Sequence, residues 1–173
     1  MPEFREMRRK RQLLSEAESI EILAKATSGV LSLIGDEGYP YGVPVSYVYT
    51  DGHLYFHSAL SGHKTDAIKN CEKASFTVIA TDDVKPEKFT TYFRSVICFG
   101  KVHIIEDAEE KMRTLRLLSE HYSPGEEGTE KEIERGFSHM CMICFEIKHM
   151  TGKEAIELTK QRKQSDARVS FVE

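Results

Sequence analysis

Between Val30 and Ile105 short runs rich in Val, Ile, Phe, Tyr and Thr, several with apolar residues at every second position, are separated by turn-forming clusters, and this strand pattern constrains the fold more than any other feature of the chain. Val30 to Ile34, Tyr41 to Tyr49 and His53 to Ser58 read as three strands of a meander, separated by turns at Gly35-Asp36-Glu37-Gly38 and Thr50-Asp51-Gly52. Val43, Val45, Tyr47 and Tyr49 share one face of the second strand. The alternation lapses from Ser61 to Asn70, where a short helix or turn is expected around Ala67 and Ile68. Ser75 to Ala80 and Arg94 to Ile105 supply two further strands, and the charged, proline-containing stretch Asp82 to Lys88 reads as an exposed loop between them. A sixth strand is expected from Cys141 to Ile147.

Helical spacing flanks this β region. Ser15-Glu16-Ala17-Glu18 has the form of a capping box, Ile20, Leu23 and Ala24 follow at helical intervals, and Gly29 is expected to stop the helix. Asp107 to His121 opens with Asp-x-x-Glu and carries Met112, Leu115, Leu118 and Tyr122 on one stripe, before Ser123-Pro124-Gly125 ends it. Glu126 to Phe137 is charged and predicted to be helical in part. Six mostly antiparallel strands, with helices inserted after the third and fifth, give a mainly β architecture with α elements: a small β-barrel with helical cover. At 173 residues the expectation is one domain over residues 1–158, opening with a helical arm, and a polar tail over 159–173 that extends freely or lies on a partner subunit.

Composition narrows the function classes. With 40% hydrophobic and 30% charged residues the chain resembles ordinary globular proteins, and a net charge of −4 gives no field that favours nucleic acid. The run Arg8-Arg9-Lys10-Arg11 has no aromatic interleaving and reads as a solvated arm. No apolar run approaches the roughly 20 residues of a membrane span, and no secretory core opens the chain, so a cytoplasmic location without membrane contact is expected. Cys141-Met142-Ile143-Cys144 has the spacing of a metal knuckle, yet in a strand its thiols point to opposite faces and no second pair exists. His139 and His149 bring no partner set, so no metal is expected.

The informative chemistry lies where the third strand ends, in Tyr55-Phe56-His57-Ser58-Ala59-Leu60-Ser61-Gly62-His63-Lys64. Here a strand delivers an imidazole, a hydroxyl, a glycine turn and a lysine to the start of a helix, whose free amides favour an anion such as phosphate. The same spacing also fits a plain helix cap at Ser61-Gly62 with a solvated Lys64.

This passage, together with Pro40-Tyr41-Gly42-Val43-Pro44-Val45-Ser46-Tyr47, Tyr92-Phe93-Arg94-Ser95-Val96-Ile97 and Thr151-Gly152-Lys153, resembles the nitroimidazole-reductase branch of the pyridoxamine-phosphate-oxidase-like proteins. The resemblance implies a six-stranded antiparallel FMN-binding split barrel with flanking helices, working as a homodimer with its cofactor at the subunit interface. It further implies that Pro44, Val45 and Ser46 line the isoalloxazine ring through backbone contacts, with Tyr47 also among the cofactor-binding residues, that His57, Ser58 and Ala59 lie along the flavin, and that His63 and Lys64 bind the phosphate. Ser95 and Val96 would approach from the neighbouring subunit. His57 is the expected catalytic residue, as a proton donor near the ring; the competing reading is a histidine hydrogen-bonded within the barrel wall. The implied activity passes electrons from NAD(P)H through FMN to a small-molecule acceptor, such as a nitroimidazole. The alternative is a non-catalytic split barrel that binds flavin, haem or a deazaflavin. The arginine-rich substrate signature of the true oxidases is missing, so their reaction is not expected.

Overall fold

The computed structural model describes residues 4–169, and its strands make one antiparallel sheet in the order β2-β1-β5-β6-β7-β4-β3. The strands are β1 (Ser28–Ile34), β2 (Pro40–Ser46), β3 (Val48–Thr50), β4 (His53–Ala59), β5 (Lys73–Lys85), β6 (Thr90–Ile104) and β7 (Met140–Glu154). β2 and β3 stand at opposite edges of that sheet, yet Tyr47 alone separates them in the chain. Two consecutive peptide links span no more than about 7 Å, so the sheet must curl until its edges meet. Closure is thus made by the covalent chain at one corner, while the hydrogen-bond ladder stays open beside it: a split barrel.

Burial explains the corner. Tyr47 is fully buried, its hydroxyl donates to the Leu23 carbonyl at 2.8 Å, and its ring meets Phe76 edge-on at 4.9 Å. Leu31, Leu33, Phe56, Val78, Val96, Cys98 and Phe145 fill the barrel around Phe76, and Ala67 and Ile68 of α2 (His63–Asn70) plug one end. A second cluster lies outside the wall, where Val48, Tyr55, Met142 and Cys144 are covered by Leu115 and Leu118 of α3 (Ala108–Tyr122) and Ile133 of α4 (Thr129–Phe137). The Ser15 capping box forms on α1 (Glu16–Lys25), with Ser15 Oγ accepting from the Glu18 amide and the Glu18 carboxylate accepting from the Ser15 amide.

Several sequence expectations need correction. The single strand from Tyr41 to Tyr49 breaks at Tyr47, which makes seven strands instead of six, because the corner residue must turn its ring into the core. The stretch Asp82 to Lys88 is no loop. Asp82↔Phe93 through Lys85↔Thr90 continue the β5–β6 ladder to a 3-10 turn at Pro86–Lys88, a hairpin in which charged side chains are compatible with strands because both faces meet water. Gly29 does not end the helix, since α1 stops at Lys25 and Gly29 belongs to β1, where a Cβ would come within 2.4 Å of the Phe76 ring. β7 runs on past Ile147 to Glu154. The polar tail is helical as α5 (Ile156–Val169), with residues 170–173 outside the described part. Arg162 anchors that helix, binding the fully buried carboxylate of Glu154 at 2.9 Å and reaching Glu18, while Arg94 holds the other Glu154 oxygen at 3.2 Å.

Candidate functional site

Tyr47 closes the barrel at a corner, and beyond it two strand edges run unpaired. Among the described residues β2 has a ladder partner only in β1, and β4 pairs with β3 only over His53 to Tyr55, leaving Phe56 to Ala59 open on that side. Continuing the Val48↔Tyr55 register across the corner sets Ser46 beside His57 and brings Tyr41 near Gly62-His63. Both ends of the seam agree with this. Ser46 and His57 line one cavity of about 660 Å³, and the His63 ring stacks on Tyr41 with centroids 4.1 Å apart.

The expected site residues sort along this seam by face. Pro44, Ser46, His57 and Ala59 are exposed, Val45 is half-buried, and Ser58 is buried opposite Cys141, whose thiol donates to the Ala59 carbonyl at 3.3 Å. His57 makes no hydrogen bond among the described residues, so its ring is not tied into the wall. Gly62 adopts φ 129, which an L side chain rarely reaches, and lets β4 turn sharply into α2. His63 Nε2 accepts from the Asp36 amide at 3.3 Å, while Nδ1 has no hydrogen-bond partner among the described residues.

Lys64 is half-buried and has no hydrogen bond or ion pair among the described residues. Burial pushes its ammonium below the ordinary lysine range, with the neighbouring Cys141 opposing that shift weakly. An ammonium partly withdrawn from water and lacking a carboxylate is a standing demand for an anion.

Two expected residues keep their side chains away from any surface ligand. Tyr47 and Val96 are fully buried in the barrel core, which leaves only their backbones. Both the amide and the carbonyl of Tyr47 already meet the Tyr122 hydroxyl. Ser95 lies on β6, on the outward face it shares with the exposed Ile97 and Phe99. The paired row Pro44–Val30–Thr77–Ile97 crosses three strand spacings, roughly 14 Å, so the Ser95 segment and the seam face the same way without touching in one chain.

Sequence reasoning missed the helical wall of the site. Leu118, Ser119, Tyr122, Glu127, Ile133 and Met140 line the cavity with Ser46 and His57. Tyr122 accepts from the Tyr47 amide at 2.9 Å and donates to the Thr27 carbonyl, stapling the corner from outside. Its signal was visible as the last member of the α3 stripe, although nothing in that stripe shows which strand it meets.

The remaining candidates lie elsewhere. Cys141 sits in the barrel interior and Cys144 in the helix-side cluster, on opposite faces of β7. Burial pushes the Cys144 thiol up to about 11 and Cys98 up to about 12. His149 stacks on Phe4 with centroids 4.7 Å apart and lies 6.4 Å from Phe99, while Phe4 and Phe99 are 5.9 Å from each other. Among the described residues no three potential metal ligands gather, and no helix is long and apolar enough to cross a membrane.

The sequence profile of the pyridoxamine 5'-phosphate oxidase family matches residues 15–154. The chain belongs to this family. The match to the pyridoxamine 5'-phosphate oxidase family begins at the Ser15 cap and ends at Glu154, so it takes in the seam and the β4–α2 turn and leaves out α5. Solved structures share the fold. A candidate 5-nitroimidazole antibiotic resistance protein from Bacteroides thetaiotaomicron is 24% identical over 82% of this chain and 86% of its own, with a TM-score of 0.70. An FAD-binding protein from Mesorhizobium loti is 22% identical over 83% of this chain and 95% of its own, with a TM-score of 0.60. The FAD and heme binding protein from Mycobacterium smegmatis is 19% identical, covering 84% of this chain and 73% of its own at a TM-score of 0.71. A search of curated proteins found no match.

Proposed function

We propose that this chain binds FMN along the barrel seam and acts, as a homodimer, as an oxidoreductase that passes electrons from a reduced nicotinamide to a small acceptor. The observation that carries this reading is Lys64, a half-buried ammonium without a partner among the described residues, at one end of a seam whose other end is the cavity of Ser46 and His57. The residues fit the group. Lys64 and the free amides opening α2 suit a terminal phosphate, and Gly62 lets the backbone approach it closely. The open edges of β2 and β4 offer backbone donors and acceptors to a flat polar heterocycle. Flavin, when bound, supplies the two-electron chemistry, and the protein supplies orientation and a dry wall. His57, exposed at the cavity, is the group positioned to hold a proton for an acceptor bound there.

The outward sheet face supports the dimer reading. Ile79, Ile97 and Phe99 expose apolar surface there, and Ser95 stands beside them, so pairing through this face would cover the patch and bring a second subunit's Ser95 and the Val96 backbone towards the seam. The Mesorhizobium loti relative binds FAD and the Mycobacterium smegmatis relative binds FAD and heme, which makes cofactor identity the first quantity to measure. The test is the absorbance spectrum of freshly purified protein with mass identification of the released ligand. A flavin spectrum and the mass of FMN are expected. A Soret band would indicate haem, and colourless protein that rejects added FMN would overturn the reading. Oxidation of NADPH and NADH with nitro-aromatic and quinone acceptors then separates an enzyme from a flavin-binding protein without turnover.

A further inference from the structure

The cavity of about 660 Å³ that receives Ser46 and His57 is bounded on its far side by a wall that the flavin reading does not use. Leu115, Leu118, Ile133 and Met140 make its apolar floor, and the segment from Glu126 to Glu132 makes its mouth. Three carboxylates, Glu126, Glu127 and Glu132, stand there against the single ammonium of Lys131. Outside the lining, Arg135 pairs with Glu132 at 2.7 Å and cancels its charge, and Arg116 pairs with Glu130 at 2.9 Å, so Glu126 and Glu127 against Lys131 leave the mouth with one net negative charge. Glu126 and Glu127 have no ion-pair partner among the described residues. Size also fits, since pockets of a few hundred cubic ångströms with an apolar floor and few polar groups suit small aromatic ligands.

We infer that this α3–α4 wall is the acceptor site and that it selects flat aromatic acceptors that are neutral or cationic, rejecting anionic ones. The inference deepens the proposed oxidoreductase reading and rests on it for the word acceptor. The ligand preference itself depends only on the cavity. An aromatic body lies on Leu118, Ile133 and Met140 with one edge towards His57, and its substituent points out past Glu126 and Glu127, where a positive charge is attracted and a carboxylate repelled. The same sign argues against phosphorylated substrates in this cavity, in contrast to the anion-seeking Lys64 at the other end of the seam.

The test uses three probes that share a nitrophenyl ring and differ in charge: para-nitrobenzyl alcohol, para-nitrobenzyltrimethylammonium and para-nitrobenzoate. Each is titrated calorimetrically into the oxidised protein as purified, without reductant, so only binding is read. The cation is expected to bind about tenfold more tightly than the anion at low salt, with the alcohol between them, and the gap is expected to shrink in high salt. The Glu126→Gln, Glu127→Gln double variant should abolish the preference for the cation over the anion. Ser119→Trp, which puts an indole into the cavity beside Leu118, should weaken binding of the alcohol. Equal affinities for cation and anion in the unmodified protein, a gap that survives the double variant, or full alcohol binding in Ser119→Trp would each overturn the inference. FMN affinity, read separately from quenching of flavin fluorescence in the same samples, reports on the cofactor reading independently of the probes.

Discussion

Replacing Lys64 by alanine separates the two roles that a half-buried, unpartnered ammonium can have. If the ammonium meets the flavin phosphate, truncation removes a charge-assisted hydrogen bond worth about 1.5 to 3 kcal/mol, which weakens FMN binding between roughly tenfold and roughly 150-fold. The free protein should respond in the opposite sense. Burial without a carboxylate disfavours the charged form, as the downward displacement from 10.5 records, so apo Lys64→Ala is expected to melt no lower than the unmodified apo-protein. The pH dependence follows from the same sign. An unfolded chain holds the Lys64 proton up to a higher pH than the folded one, so this residue makes stability rise with pH across the interval from its depressed value to 10.5, and alanine removes that slope. FMN titration of apo-protein by fluorescence quenching, with parallel thermal melts, measures both. Unchanged FMN affinity, or an apo-protein that loses several degrees, would place the phosphate elsewhere and make Lys64 a structural residue.

Tyr122→Phe removes the hydroxyl that serves the Tyr47 amide and the Thr27 carbonyl, and should cost about 1 to 3 kcal/mol in urea unfolding, with FMN affinity falling too because the seam loosens. Glu154→Gln leaves Arg94 and Arg162 facing an uncharged amide at a fully buried position; a loss of about 3 kcal/mol is expected from the denaturation midpoint, and a neutral result would show that the network contributes nothing. Ile97→Asp puts a charge into the outward apolar face and should convert a sedimenting dimer to monomer, with weaker FMN binding as a consequence. A protein that is already monomeric yet binds FMN tightly would refute the shared site.

The local code was legible in the sequence wherever neighbouring residues decide the outcome. The Ser15 box, the Asp107 cap whose side chain accepts from the Glu110 amide, and the alternation in β1, β4 and β6 depend on contacts a few residues apart. Likewise the β4–α2 turn with Gly62 and Lys64 is a contiguous motif, so its anion chemistry is legible from the order of residues alone. Residues far apart in the chain were another matter. That Tyr47 is a corner and not mid-strand, that Asp82 to Lys88 continues a hairpin, and that a polar tail folds as α5 all depend on distant partners: Leu23 and Phe76, the facing strand from Thr90, and the Glu154 carboxylate. The helical wall of the cavity follows the same rule, since the α3 stripe shows an apolar face without showing what it covers. Short-range hydrogen bonding and periodicity are properties of a segment and survive in its sequence; closure of the barrel, and with it the meeting of Ser46, His57 and Tyr122, exists only once strands separated by many residues have curled into one wall.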